Sequence, residues 1–169
     1  MIIKRATKND ISKMVKIDKK VYGKYGANKE YISKKMKSFP QGALVVKNNN
    51  KITGFIICEI IGRNEIPEDF YDMKVNEPFQ GKWMHPVMFT TETNYKNKVS
   101  DSKLLITAEK IAKKFGCIES CVPLSKNHPF IKNRVFEFWK MNGYKNIGKI
   151  KWSASEYEFI ECYLYKKKF

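Results

Sequence analysis

HPVMFTTETNYKNKVSDSKLLITAEKIAKKFG, from His85 to Gly116, is the stretch whose reading decides the architecture. Its start, 86–91, is rich in β-branched and aromatic residues and predicts a strand. A polar segment, 92–100, follows without apolar periodicity. Leu104, Leu105, Ala108, Ile111, Ala112 and Phe115 then recur at the spacing of one buried helix face, which predicts a helix over 102–115. Gly116 stands where a left-handed residue closes such a helix, and IESCVPL, 118–124, reads as a second strand. Strand, loop, amphipathic helix and strand make a βαβ unit, so the two strands are expected to be parallel neighbours with a right-handed crossover. The loop at the helix N-terminus of such a unit is a natural anion site, because unpaired N–H groups and the helix dipole point at it.

Upstream, 2–6 predicts a short strand, and Thr7 with Asp10 a capping pair for a helix over 9–22. Gly23 and Gly26 break that helix, Asn28 can cap a second over 29–38, and Pro40 ends it. The link between them, YGKYGAN, is a candidate substrate loop or a plain connector. ALVVK (43–47) and ITGFIICEII (52–61) read as a hairpin whose turn, Asn48 to Asn50, tolerates the left-handed conformation. Residues 63–82 then form a long, irregular and acidic insertion, a lid or a local extra element. Downstream, a helix is expected over 132–141, closed by Gly143, and a final antiparallel pair over 144–152 and 157–166. The order is β-α-α-β-β-β-α-β-α-β-β, about seven strands and four helices in a single domain spanning 1–169.

The formal charge of +16 raises a nucleic-acid partner, but the basic set is almost all lysine. Only Arg5, Arg63 and Arg134 are arginines, and lysine is scattered along every segment. That resembles compositional bias more than a surface of forked guanidinium groups built to read phosphates. No apolar run approaches 18 residues and MIIKRATKND lacks an apolar leader, so an unexported, cytoplasmic protein without membrane contact is expected. Cys58, Cys117, Cys121 and Cys162 lack paired metal-ligand spacing and are expected to be buried reduced thiols, with no metal site.

The run Tyr95-Lys96-Asn97-Lys98-Val99-Ser100-Asp101-Ser102-Lys103-Leu104-Leu105 resembles the central motif of the GCN5-related N-acetyltransferase (GNAT) superfamily. There a strand leads into a loop of pattern [Arg/Gln]-x-x-Gly-x-[Gly/Ala] and then a helix. Lys96 takes the first position of that pattern, and Val99 and Asp101 take the two small ones. The segment Asn133-Arg134-Val135-Phe136-Glu137-Phe138-Trp139-Lys140-Met141-Asn142-Gly143-Tyr144 is similar to the family's ending. Phe138-Trp139 replaces its aromatic pair and Gly143-Tyr144 its Gly-Phe. The resemblance implies an α/β (α+β) GNAT-like fold, a mixed and mostly antiparallel twisted sheet around the parallel βαβ unit. It also implies acetyl-CoA as co-substrate, with the pantetheine along Met88, Phe89 and Thr90. The pyrophosphate would lie by Lys96, Lys98, Val99, Ser100, Asp101 and Ser102, with Asn133 from the second motif nearby.

The resemblance implies N-acyl transfer, with acetyl as the expected acyl group, from acyl-CoA to a small-molecule or peptide amine. It needs a deprotonated amine, a polarised carbonyl and a proton donor for the leaving thiolate. Glu92, just past the central strand, is the candidate base; Trp139 fills the position of the family's tyrosine, which leaves Tyr144 as the nearby hydroxyl. His128 lies where open α/β sheets bind ligands, and Glu59 is an unusual carboxylate in an apolar run. Within the loop, Val99 resists positive φ, Asp101 would repel a diphosphate, and the side chain of Asp101 or Ser100 is expected to cap the 102–115 helix. Two other readings stay open: a catalytically inactive ligand-binding or protein-interaction module, and a basic nucleic-acid-binding protein. A homodimer is an open state of assembly.

Overall fold

The computed structural model describes residues 1–92, 98–155 and 158–169, the side chains of residues 98, 133, 154 and 155 excepted. Strands β1 (Ile2–Arg5), β2 (Ala43–Asn48), β3 (Lys51–Ile61), β4 (Phe70–Val75), β5 (Trp83–Thr91), β6 (Glu119–Ser125), β7 (Lys145–Ser155) and β8 (Glu158–Lys168) form one sheet, in the order β1-β2-β3-β5-β6-β8-β7-β4. Helices α1 (Ile11–Tyr22), α2 (Lys29–Ser38), α3 (Lys98–Lys114) and α4 (Val135–Met141) cover it. All pairings are antiparallel except β5 with β6, the two strands joined through α3.

Local chemistry explains most boundaries. Asn49 and Asn50 adopt φ of 46° and 61°, the left-handed pair that a two-residue hairpin between β2 and β3 requires. The N–H and hydroxyl of Thr7 both donate to Asp10 Oδ2, at 2.9 and 2.8 Å. Asn28 Oδ1 accepts the Tyr31 N–H at 2.8 Å and caps α2. Gly116 has φ 87° behind α3, where the Cys117 N–H reaches back to the Ala112 carbonyl at 3.1 Å.

Two apolar layers sandwich the first half of the sheet. Ile11, Met14, Ile17 and Ile32 of α1 and α2 bury against Val45, Phe55, Ile57 and Met88. On the opposite face Leu104, Leu105, Ala108 and Ala112 of α3, with Phe138 and Trp139 of α4, bury against Ile56, Phe89 and Leu124. Each fully buried leucine contributes about 1.5–3 kcal/mol, so this face holds α3. Phe115 is the exception to the expected stripe, 44% exposed beyond the helix end with its ring edge against Phe39. All four cysteines are buried and unbridged. Among the described residues no helix is long and apolar enough to cross a membrane.

Three expectations need correction. The acidic insertion is not irregular throughout: it carries β4, which crosses to the far edge and pairs with β7. Its register shifts between Tyr71 and Lys74, with Asp72 at φ 46°, so β4 lacks the two-residue alternation that marks a strand in sequence. Phe70 and Phe79 of this segment pack with Trp83, Ile147, Ile150 and Leu164 in a third apolar cluster. Second, α3 begins at Lys98, four residues earlier than its apolar stripe suggests. Third, the last helix is shorter than 132–141, because Arg134 turns left-handed (φ 62°) between a 3-10 turn and α4.

Gly148 is where β4 docks. A Cβ there would stand 2.0 Å from the Lys74 carbonyl oxygen and 2.9 Å from Val75 Cα. Gly148→Ala is therefore expected to destabilise the protein by about 1–3 kcal/mol through forced backbone displacement. Denaturant titration reads the loss, and hydrogen exchange should quicken at the β4 amides. Unchanged stability would mean that β4 is not held at that edge.

Candidate active site

The parallel ladder between β5 and β6 is short. Only Trp83 pairs with Glu119 and Met84 with Ser120; beyond them the strands part towards their C-terminal ends. Pro86 has no N–H to give a ladder, and the β3 register slips so that Ile57 faces Met88 while Cys58 faces Pro86. Val87 is the extra residue of this bulge, and a bulge bends and twists the strand that carries it. At the apex His85 bridges the gap, its Nδ1–H donating to the Cys121 carbonyl at 3.2 Å.

The cleft above this apex is lined from α1. Thr90 Oγ1 donates to Asp18 Oδ1 at 2.6 Å, and the Ala27 N–H donates to Asp18 Oδ2 at 2.7 Å. Burial pushes the Asp18 carboxyl up, and these two bonds oppose the rise. One helical turn on, the Tyr22 hydroxyl lies 3.4 Å from the Phe89 carbonyl and 3.4 Å from His128 Nε2, both loose contacts. His128 Nδ1 accepts the Phe130 N–H at 3.0 Å, so the ring proton sits on Nε2 and faces Tyr22. Burial pulls the His128 pKa down to about 4, and burial, seconded by the Asp18 charge, holds the Tyr22 phenol well above its ordinary value. Near neutral pH the pair is a neutral imidazole and an intact phenol.

At the C-terminal end of β5, the first turn of α3 sits against the strand. Val99 is helical and 66% exposed, with no positive φ to strain a β-branched residue. Asp101 lies inside that first turn rather than at a cap before Ser102. It is 1% exposed, and its Oδ2 accepts from Thr91 Oγ1 at 3.4 Å. With α3 starting at Lys98, both Ser100 and Asp101 stand inside the helix and not at a boundary before Ser102. The carboxylate is buried against the end of β5. Ser100 is buried with its hydroxyl on Met1 Sδ at 3.0 Å, and Ser102 is partly buried.

The remaining sequence candidates separate. Met88, Phe89 and Thr90 lie on the part of β5 beyond the parallel pairs. Lys96 lies outside the described residues, as do the side chains of Lys98 and Asn133. Glu92 is exposed in the turn after β5, its backbone N–H bonded to the Thr53 carbonyl on the β3 side. Tyr144 is buried in the α3 layer. It donates its proton to Glu109 Oε1 (3.0 Å) and shares its oxygen with the Ser120 hydroxyl (2.8 Å), while Lys167 Nζ holds Glu109 Oε2 at 2.6 Å. Tyr144→Phe is expected to cost about 1–3 kcal/mol of stability, the scale of a buried partner left unsatisfied. A melt reads this directly, and an unchanged melt would remove Tyr144 from the network.

Asp18 and Tyr22 escaped the sequence reading, yet a signal was present. Met14, Asp18 and Tyr22 are spaced by four, so a carboxylate and a phenol continue the apolar stripe of α1. A polar group on a buried face has to meet a partner. At the outer rim, Lys24 and the Tyr25 hydroxyl both reach Glu158, tying the α1–α2 link to the β7–β8 end.

No protein-family model matches the chain, and comparison with curated proteins finds no match. Solved structures do match, over nearly its whole length. A GNAT-like decarboxylase, GphF, in complex with isobutyryl-CoA superposes with a TM-score of 0.77 at 12% identity, covering 99% of each chain. Ard1 from Thermoplasma volcanium gives 0.71 at 11% identity, covering 99% of this chain and 96% of its own. The NatC complex bound to Gag peptide and CoA gives 0.72 at 11% identity, with 99% and 98% covered. At such identities the likeness establishes the fold, which is the GNAT fold. A decarboxylase among these neighbours means that the fold alone does not choose a reaction.

Proposed function

We propose that the protein transfers an acyl group from acyl-CoA, acetyl-CoA in the first instance, to a primary amine. The observation that carries this reading is the parting of β5 and β6 after two ladder pairs. It leaves one backbone edge of Met88, Phe89 and Thr90 facing a cleft, with the N-terminal turn of a 17-residue helix beside the strand's end. An extended amide chain such as pantetheine pairs with a strand edge, and a diphosphate is favoured at a helix N-terminus. Two features fit such a ligand: Asp101 is buried and bonded to Thr91, and Val99 needs no strained conformation. The chain's high positive charge would also draw an anionic co-substrate.

In this reading the amine enters from the α1–α2 side and attacks the thioester carbonyl near Val87 and Met88. The C–N bond forms, the C–S bond breaks and the thiolate leaves, while the proton lost by the nitrogen passes to solvent, from which the proton donor is restored. Tyr22, held between the Phe89 carbonyl and His128, is the proton donor to the sulfur. It supplies from α1 the hydroxyl that Trp139, 1% exposed within the core, does not offer from α4. Asp18 and Thr90 hold that end of α1 on β5. Tyr144 and Glu92 are given no role in the chemistry.

The test pairs binding with turnover. Acetyl-CoA and CoA should raise the melting temperature saturably, by the equivalent of about 2.7 kcal/mol at a hundredfold excess over Kd, and ADP should do so more weakly. Thiol release from acetyl-CoA should then depend on an added amine across a panel of monoamines, polyamines and peptides. Binding without amine-dependent thiol release would favour an inactive ligand-binding module, and no shift with either CoA species would remove the reading altogether.

A further inference from the structure

Lysine is scattered along the sequence, but strand pairing gathers several lysines on one face of the β8-β7-β4 end of the sheet. On one side of β7, Lys151 pairs with Tyr71 of β4 and Lys149 with Lys74. On its other side Lys149 pairs with Tyr163 of β8, Lys151 with Glu161 and Ser153 with Phe159. Directly opposed residues share a face, as do residues two apart on a strand, so these side chains stand together. Phe70, Ile150 and Leu164, each one position away, belong to the buried cluster behind.

The side-chain contacts agree with that register. The rings of Tyr71 and Phe159 meet across β7 with centroids 4.9 Å apart, and the two residues are 58% and 48% exposed. Lys126, just past β6, reaches Glu161 at 2.6 Å and lies over the Tyr163 ring at 5.5 Å. Its hydrogen bond and charge, with the charges of Lys149 and Lys151, hold the Glu161 carboxyl below its ordinary range. Asp72 Oδ2 lies 3.9 Å from Lys74 Nζ and 4.0 Å from Lys151 Nζ. Four lysines thus surround two carboxylates, and exposed pairs of this kind contribute little and open readily.

Two exposed rings among lysines on a sheet face fit an occupant that alternates flat apolar faces with negative charges. An acidic peptide satisfies the lysines and leaves the rings without stacking partners. A duplex also satisfies the lysines but keeps its base faces stacked inside. An unpaired strand offers both, its bases stacking on aromatic rings while its phosphates meet the cations. Such binding tolerates any sequence, so it does not need the forked guanidinium groups in which the chain is poor. We propose that this face binds single-stranded nucleic acid, with bases on Tyr71 and Phe159 and phosphates at Lys74, Lys149 and Lys151. The face lies beyond β6 from the β5 strand, so the binding does not rest on the transferase reading.

Fluorescence anisotropy with labelled RNA and DNA single strands of about 12 nucleotides tests this, with the same strands annealed to their complements as the comparison. The single strands should bind saturably and more tightly than the duplexes, with a log–log salt slope of about −2 from three phosphate contacts. Tyr71→Leu and Phe159→Leu keep apolar bulk and lose only the flat ring; each should weaken binding by about tenfold, with the melt unchanged. Lys149→Gln with Lys151→Gln should flatten the salt slope by about 1 to 1.5. Lys13→Gln with Lys16→Gln removes the same charge from exposed positions of α1, across the sheet, and should leave affinity within about twofold. Equal losses from the two lysine pairs would mean a general field with no site, which overturns the proposal. So would leucine variants that bind as the wild type does, duplexes that bind as tightly as single strands, or single strands that do not bind. Displacement of the strand by polyglutamate at equal charge concentration would assign the face to an acidic protein instead and overturn it too.

Discussion

Tyr22→Phe is expected to lower kcat for amine-dependent CoA release by about 10²–10⁴-fold, the range spanned by a lost proton donor. The ring should stay in place, since its packing against Phe130 and His128 does not involve the oxygen. What goes is the one hydroxyl that lies between a strand carbonyl of β5 and the Nε2–H of His128. Burial and the neighbouring Asp18 charge keep that phenol protonated through the neutral range, the form a leaving thiolate requires. The two 3.4 Å contacts are loose, so little stability is at stake and the melting temperature should barely move. Acetyl-CoA affinity should hold or rise slightly, because the Phe89 carbonyl is released to the ligand. A variant with wild-type kcat would place the acid elsewhere, whereas one with intact kcat and a raised KM would make Tyr22 a binding group.

Stability should fall by about 2 kcal/mol as the pH drops from 6.5 towards 4. The folded His128 pKa is about 4 against an ordinary 6.5, so the unfolded chain takes up the proton first across that interval. Each pH unit of such a difference is worth about 1.4 kcal/mol, which sets a ceiling of about 3.5 kcal/mol, and partial exposure of the ring trims it. The contribution is whole above 6.5 and gone below 4. His85, also pulled down by burial, adds a loss of the same sign. Asp18 works the other way, since its raised carboxyl pKa makes protonation favour the fold. The comparison that isolates His128 is thus wild type against His128→Gln, in which Asp18 cancels. Urea titrations at pH 4.5 and 7 should show the variant losing less than the wild type. Equal losses would mean that His128 is as solvated in the folded state as in the unfolded one.

Much of this protein is settled by local pattern. The asparagine hairpin, the Asn28 cap, the glycine behind α3 and the apolar stripe of that helix each answer to a few neighbouring residues. So the βαβ unit, its parallel strands and the mixed sheet were legible from the chain alone. The start of α3 was not, because its first turn is polar and is held by Asp101 and Ser100 turning inward, a contact with β5 and the N-terminus that spacing does not encode. Strand β4 was hidden for a similar reason: Phe70 and Met73 lose their alternation at a kink, and only β7, some 75 residues on, supplies the partner edge. The site itself was decided by tertiary structure. Asp18 meets Thr90 across 72 positions and Tyr22 meets His128 across 106. Sequence determines which groups can bond, but their pKa values and roles follow from burial and from partners that arrive only when the sheet closes around them.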